Sequence, residues 1–192
     1  MSQAQTQVPR PVEDGWIQTF SGRKVYPMDL TPDDIHIRDI AHSLAHQCRF
    51  AGHVSRFYSV AQHSVIMSRL VPREHAMWAL LHDASEAYLT DIPRPIKHLP
   101  AFAFYRAAEA RAMATICRVY GLSIEAPACV KDIDIRMCAT EAQALMQPLH
   151  PHWKVKPPAV PLLDVDIIPT FRPDQAEVVF LHTFRDLGGR QK

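Results

Sequence analysis

The sequence lacks three features that would assign the protein to a broad class. Its basic and acidic residues nearly balance, for a formal net charge of +1. Any phosphate recognition must therefore come from a few placed Arg and Lys side chains, and no general attraction to nucleic acid polymers arises. No stretch reaches the roughly 18 uninterrupted apolar residues of a membrane span, and residues 1–14 lack the apolar core of a signal peptide. We expect a cytoplasmic protein with neither nucleic acid polymers nor membranes as partners.

Cysteine is also scarce, and its spacing is uninformative for a metal cage. The four cysteines form no Cys-x-x-Cys pair and mostly lie in apolar helical patterns, which favours reduced thiols over a disulfide framework. A chain of 192 residues that is 47% hydrophobic can bury one core without disulfides. The sequence predicts one domain over residues 15–192, preceded by a loose polar arm over residues 1–14.

What the sequence does contain is a series of helical patterns. Two short extended runs around Ser21-Gly22 predict a small β-hairpin over residues 16–27. Thr31-Pro32 has the capping residue and first-turn proline of a helix, which the apolar spacing extends to near Gly52. Further helices are predicted over residues 60–70, 76–88, 101–120, 129–146 and 173–188.

Seven of the 16 prolines fall between Pro148 and Pro173, and they predict an extended connection before the last helix. The expected fold is therefore all-α, a helical bundle with a small N-terminal β-hairpin and a Pro-rich C-terminal connection.

Four potential metal ligands stand on these apolar helical segments: His63, the pair His82-Asp83, and Asp134. A mixed imidazole and carboxylate set suits a divalent cation that keeps open positions, unlike an all-thiolate structural zinc site. His82 and Asp83 point about 100 degrees apart on a helix, so they share an ion only if it lies beside the helix. Other helices must supply the remaining ligands. An ion there can activate water and polarise a phosphoryl oxygen, which indicates a metal-dependent hydrolase.

Glu86 follows His82 by four residues and Asp83 by three, so its carboxylate lies on the same side of the predicted helix. It is the candidate for proton transfer in the reaction. The alternative is an ordinary solvated glutamate.

Three segments carry a family resemblance: YSVAQHS at residues 58–64, LHDASEAYLTDIPRPIK at residues 81–97, and VKDID at residues 130–134. Together they closely resemble the HD-domain phosphohydrolase superfamily, and most of all its branch of bacterial 5′-deoxynucleotidases of the YfbR type. The resemblance covers roughly residues 35–145. It implies that His63, His82, Asp83 and Asp134 bind the metal and that Glu86 is the catalytic acid/base.

The same resemblance implies roles for three neighbouring residues. Asp91 would lie over the sugar or the nucleophilic water, Arg49 would hold phosphate, and Phe50 would lie against the base or sugar. The family more often has Trp at the position of Phe50, and the spacing from Arg49 to His63 is one residue shorter than in the YfbR type. From their positions beside site elements, His53, Lys97 and Lys131 are further candidates for substrate contact, with ordinary structural or surface roles as the alternative.

The resulting functional hypothesis is a metal-dependent phosphohydrolase that hydrolyses (deoxy)nucleoside 5′-monophosphates to nucleoside and phosphate with a metal-activated water. One alternative is a triphosphohydrolase that releases tripolyphosphate from a deoxynucleotide such as dATP. Another is a non-catalytic nucleotide-binding module. The two-histidine, two-aspartate set accepts one Zn, Mn, Co, Ni or Fe ion more readily than Mg. Relatives of this type often form dimers, so a homodimer is compatible with the hypothesis.

His42 and His46 have the four-residue spacing of a helical zinc site. They lack the intervening Glu of a metalloprotease helix, and the sequence shows no obvious third ligand nearby. No separate site is therefore predicted there.

Overall fold

The chain is mostly helical in the computed structural model, which describes residues 14–146, 148–154, 161–162, 165–167 and 169–190. Strands β1 (Ile17–Gln18) and β2 (Lys24–Val25) form an antiparallel hairpin. The helices are α1 (Ile37–His46), α2 (Val60–Leu70), α3 (Arg73–Leu81), α4 (Glu86–Leu89), α5 (Arg94–Lys97), α6 (Ala103–Tyr120), α7 (Ala128–Leu145) and α8 (Pro173–Asp186). The predicted helical class and the small hairpin are confirmed. Residues 1–13 of the predicted arm, and parts of the Pro-rich connection, lie outside the described residues.

The hairpin is fastened to the first long helix by hydrogen bonds to one carboxylate. Ile17 pairs with Val25, and Gly22 adopts a positive φ of 82° in the turn between the strands. In this turn the backbone N–H and the hydroxyl of Ser21 donate to the two carboxylate oxygens of Asp39, at 2.7 and 2.8 Å. Because Asp39 lies in the first turn of α1, the hairpin is held against the N-terminal end of that helix.

The helix predicted to begin at Pro32 and end near Gly52 is wrong at both ends. Residues 32–34 form a single 3-10 turn, and α1 begins only at Ile37 and ends at His46. The backbone of Gln47 is extended, and the Arg49 N–H donates to the Tyr58 carbonyl at 2.9 Å. These long-range hydrogen bonds stop the helix, and the loop they form returns Arg49 to the start of α2.

The helix predicted over residues 76–88 is interrupted at His82. α3 ends at Leu81, and α4 begins at Glu86 after a four-residue turn. In this turn the Ala84 N–H donates to the Leu81 carbonyl and the Glu86 N–H to the Asp83 carbonyl, both at 2.9 Å. Bonds across three residues instead of four tighten the chain, so the His82-Asp83 pair lies in a turn at the end of α3.

Local signals account for the remaining helix ends. The Ser59 hydroxyl accepts the Gln62 N–H at 3.1 Å and caps α2, which ends before Pro72 as predicted. Gly121 closes α6 with a left-handed φ of 66°. The predicted helices that correspond to α7 and α8 are confirmed within a few residues.

Helix α2 lies at the centre of the molecule, with most of its residues buried. One core cluster joins α2 to α1, α3 and α8, and a second joins α2 to α3 and α7. A polar side chain on α2 can therefore be reached from several helices at once. The four cysteines are free thiols, of which Cys117 alone is buried and the other three are half-buried. Within the residues that the structure describes, no helix has the length and apolar character required to cross a membrane.

Candidate metal centre

The four predicted ligands converge in space. His63 Nε2 lies 3.2 Å from His82 Nε2 and 3.4 Å from Asp134 Oδ1. Asp83 Oδ2 lies 3.1 Å from His82 Nε2 and 4.0 Å from His63 Nε2, and His82 Nε2 lies 3.8 Å from Asp134 Oδ1. Ligand atoms bound about 2.1 Å from one ion are about 3.0 to 3.4 Å apart at neighbouring octahedral or tetrahedral corners. The spacings fit one shared cation for His63, His82 and Asp83, whose ligand atoms all lie within 4.8 Å of one another. Asp134 lies within 3.8 Å of both imidazoles and is the fourth candidate ligand.

Each ligand comes from a different depth in the fold. His63 on the central helix α2 is fully buried, whereas His82 and Asp83 in the turn after α3 are 7% and 20% exposed. Asp134, near the start of α7, is 39% exposed. The group is therefore closed on the His63 side and open to solvent on the Asp134 side, where a substrate could enter.

Hydrogen bonds fix both imidazole rings in the orientation that metal binding requires. His82 Nδ1 donates to the Ala79 carbonyl at 2.8 Å, and His63 Nδ1 lies 2.6 Å from Glu141 Oε1. With a proton on each Nδ1, each Nε2 presents a lone pair. At 3.2 Å the two Nε2 atoms are close enough to bind one cation, or to share a proton where no ion is bound. The structure thus contains a group of side chains that could hold a metal ion.

The charges in the group reinforce this arrangement. Burial lowers the pKa of His82, but the Asp83 and Asp134 carboxylates and the bond to the Ala79 carbonyl together outweigh burial and raise that pKa to about 9. Burial raises the pKa of Asp83, but His82, His63 and Arg49 outweigh it and hold that pKa below its usual range. This group of side chains therefore attracts positive charge, and a divalent ion would supply that charge in place of the His82 proton.

Glu141 is the site residue that the sequence reasoning missed. It is fully buried on α7. Its carboxylate accepts hydrogen bonds from the Tyr58 hydroxyl at 2.9 Å, from Arg49 Nε at 2.9 Å and from the His63 ring nitrogen. Burial raises the pKa of Glu141, but Arg49 and His63 outweigh burial and lower it. The available signal was its spacing, because Glu141 follows Asp134 by two helical turns within a mostly apolar stretch.

Glu86 was predicted to share a helix with His82 and Asp83, but it is the first residue of α4, directly after the turn that carries that pair. Burial raises its pKa well above the usual range, and the nearby carboxylates of Asp83 and Asp91 raise it further. A carboxyl group with a raised pKa is a better candidate to donate a proton to a leaving oxygen than an ordinary glutamate.

Asp91 and Lys97 form an adjacent ion-pair group. Lys97 Nζ lies 2.6 Å from Asp91 Oδ1 and 2.6 Å from Glu109 Oε1. Asp91 is half exposed and follows Thr90, whose positive φ of 43° is unusual for a β-branched residue. The structure thus gives Lys97 two carboxylate partners that the sequence did not predict.

Arg49 joins the loop after α1 to the centre. Its Nε bonds to Glu141, and its Nη1 lies 3.6 Å from Asp83 Oδ2. The Phe50 ring lies beneath the Arg49 guanidinium at 5.7 Å, and Phe50 has a left-handed φ of 55°. His53 and Lys131 are exposed, and neither forms a hydrogen bond or ion pair with the four ligands in the described part of the chain. Among the predicted substrate residues, Arg49 thus forms an ion pair with one of the four candidate ligands, Asp83.

Comparison with known proteins gives the family. The chain is 42% identical over 177 residues to Uncharacterized protein YfdR of Escherichia coli (strain K12), an alignment that covers 92% of this chain and 98% of YfdR. The chain belongs to the YfdR family. An uncharacterized protein of Rhodobacter capsulatus is also 42% identical to it, over 91 residues that make up 43% of this chain and 46% of that protein. No protein-family model matches the chain. The YfdR family name carries no activity, so the chemistry has to be argued from the site.

Proposed function

We propose that this YfdR-family protein is a metal-dependent phosphohydrolase of the HD-domain type. Its proposed substrates are (deoxy)nucleoside 5′-monophosphates, and its products are nucleoside and phosphate. The observation that carries the proposal is that the carboxylates of Asp83 and Asp134 each lie within 4.0 Å of both imidazole Nε2 atoms, beside a carboxyl group with a raised pKa.

The donor set fits a divalent transition-metal ion. His63 and His82 offer imidazole nitrogens, and Asp83 and Asp134 offer oxygens, which suits Zn, Mn, Co, Ni or Fe better than Mg. Such an ion would polarise a phosphoryl oxygen and lower the pKa of a nearby water molecule. Asp134 is 39% exposed, so a phosphate group could approach the ion from that side.

The surrounding residues supply the other parts of a hydrolytic site. Glu86, whose pKa is raised by burial and by the nearby carboxylates, could donate a proton to the leaving sugar oxygen. Arg49 provides a cation 3.6 Å from the carboxylate of Asp83, and its guanidinium can hold phosphate oxygens in a bidentate fashion. Asp91 is half exposed and lies near Glu86, so its carboxylate can accept a hydrogen bond from a hydroxyl group of the sugar.

Local charge supports a monophosphate over a triphosphate. Arg49 already lies beside Glu141 and Asp83, and Lys97 lies between Asp91 and Glu109. Both cations are thus partly neutralised by the protein itself. A triphosphate, with its greater negative charge, would have less compensation here than a monophosphate.

The test is a product analysis on the metal-loaded chain. We expect inorganic phosphate from deoxynucleoside monophosphates in the presence of Mn²⁺ or Co²⁺. Release of tripolyphosphate from deoxynucleoside triphosphates would instead support the alternative function, a triphosphohydrolase. Nucleotide binding without any product would indicate a non-catalytic module, and loss of both binding and turnover would refute the nucleotide assignment.

A matched pair of variants on one helix tests the ligand assignment. Asp134→Asn should remove most activity and lower the bound metal, because an amide is a weaker ligand than a carboxylate. Asp132→Asn alters a carboxylate that is 67% exposed and lies two residues earlier on α7, so activity and metal content should stay near those of the wild type. Equal behaviour of the two variants would contradict the assignment of Asp134.

A further inference from the structure

A second set of ligating side chains lies between α1 and α8. We propose that His42, His46 and Glu177 form a separate binding site for a zinc-type divalent cation. One ligand atom from each of the three lies within 4.8 Å of the others. The sequence did not predict this site because its third ligand is 135 residues away from His42 along the chain. The fold supplies that ligand by packing α8 against α1.

The two histidines are held on one face of α1 with their rings close together. Their ring centroids are 4.1 Å apart. His46 Nδ1 donates to the His42 backbone carbonyl at 2.8 Å, which leaves His46 Nε2 with a lone pair for a metal. His42 Nδ1 lies 2.8 Å from Glu177 Oε2, a distance that suits two neighbouring ligands of one ion. Two imidazoles and a carboxylate are a common ligand set for zinc with an open fourth position.

Packing of Phe20 makes the site more rigid than a surface histidine pair. Its ring stacks on His42 with centroids 3.6 Å apart and an interplanar angle of 7°. The stacking restricts rotation of the imidazole, which lowers the entropy that metal binding would cost. His42 and Glu177 are 28% and 21% exposed, and His46 is exposed. The ligands are thus ordered on one side and accessible to an ion on the other.

The competing explanation is a simple hydrogen bond between His42 and Glu177 that joins α1 to α8. His46 distinguishes the two explanations, because that hydrogen bond does not involve its side chain, whereas a three-ligand site requires it. His46→Gln should therefore remove the second ion and leave the contact between the helices intact.

The experiment is a zinc titration of the full chain by equilibrium dialysis, with metal content measured by mass spectrometry. We expect two zinc ions per wild-type chain, one per His46→Gln chain and one per Asp83→Ala chain. Zinc should also raise the Tm of Asp83→Ala, and adding His46→Gln to that variant should abolish the rise. The control is the double change His150→Gln and His152→Gln, which removes two neighbouring histidines elsewhere and should still leave two zinc ions.

The proposal is overturned if His46→Gln retains the second ion. It is also overturned if the wild type binds a single zinc ion that Asp83→Ala removes. Neither result bears on phosphate release from nucleotides, so failure of this site and failure of the proposed hydrolase are separately visible.

Discussion

At the scale of single residues, environment gives chemically similar carboxyl groups different roles. Asp83 lies beside His82 and Arg49, and its pKa is lowered, so it remains an anionic ligand. Glu86, three residues later, is half-buried near Asp83 and Asp91, and its pKa is raised. Two carboxyl groups whose pKa values are moved apart in this way can serve as an electrostatic ligand and a proton donor in one site.

Glu86→Gln tests the role of the carboxyl group whose pKa is raised. The variant should keep the metal, but its turnover number should fall about 10²- to 10⁴-fold, as expected for removal of a general acid or base. Ionising a carboxyl group whose folded-state pKa is raised opposes folding at neutral pH, so the neutral amide should leave the free energy of unfolding equal or higher. Steady-state kinetics, metal analysis and thermal melting measure the three quantities.

The exposed Glu74 near the start of α3 provides the control for this experiment. Glu74→Gln should leave turnover unchanged. A near-normal rate in Glu86→Gln would show that Glu86 takes no part in proton transfer.

Glu141→Gln tests the carboxylate behind His63. The amide oxygen can still accept a hydrogen bond from His63 Nδ1. It no longer carries the negative charge that strengthens this bond and compensates the charge of Arg49. We expect metal affinity to fall by about 10- to 100-fold, the usual loss for a residue that orients a metal-bound histidine. Competition with a chromophoric chelator measures it.

Tyr58→Phe is the comparison for this prediction, because it removes one hydrogen bond to Glu141 and leaves the bond to His63. Its metal affinity should change less than that of Glu141→Gln. Unaltered affinity in folded Glu141→Gln would contradict the role assigned to this carboxylate.

The sequence predicted residues with distinctive chemistry better than residues that depend on tertiary burial. The two histidines and two aspartates stood out as ligand types at helical positions, and the structure brings them together. Glu141 looks in sequence like any polar residue of an amphipathic helix. Its burial follows from the packing of α7 on α2, and a local pattern does not contain that information.

At the scale of elements, the same distinction separates the helices that were predicted well from those that were not. α2 and α6 end where a proline or a glycine dictates, and such signals are local. The break after His46 is set by pairing of Gln47 and Arg49 with residues 58–60, and the Gln47 amide also donates to the Glu86 carbonyl at 3.0 Å. This break and the one at His82 both lie beside the candidate metal centre. They place Arg49 and the His82-Asp83 pair next to the other ligands.

The loop that carries Arg49 contains three consecutive residues with positive φ: Phe50, Ala51 and Gly52. Gly52→Ala should lower the free energy of unfolding by about 1 kcal/mol, because a left-handed φ of 80° is unfavourable for alanine even where a Cβ meets no neighbour. It should also raise the KM for the phosphate substrate, since the strain is relieved by movement of the loop. Kinetics and thermal melting test both effects.

Gly121→Ala is the matched control, because Gly121 also has a positive φ and open space around it but lies at the end of α6, away from the loop. It should lose a similar amount of stability with KM unchanged. If the two variants have the same KM, the loop conformation does not control substrate binding.

At the scale of the whole molecule, the metal centre joins helices that are distant in the chain. His63 lies on α2, His82 and Asp83 follow α3, and Asp134 lies on α7. A bound ion would connect these three elements across the second core cluster. Binding that occurs only in the folded state adds to the free energy of unfolding, so the centre should stabilise the whole chain.

Removal of the metal should therefore lower the Tm in a way that depends on metal concentration. An ion at about 100 times its Kd adds about 2.7 kcal/mol, which corresponds to roughly 5–11 °C for a domain of this size. The measurement is best made in the His46→Gln chain, where the proposed second site cannot contribute. Asp134→Asn in that background should lose most of the shift, and Asp132→Asn should keep it. If a chelator leaves the Tm of the His46→Gln chain and of the wild type unchanged, the four side chains do not bind an ion that stabilises the folded state.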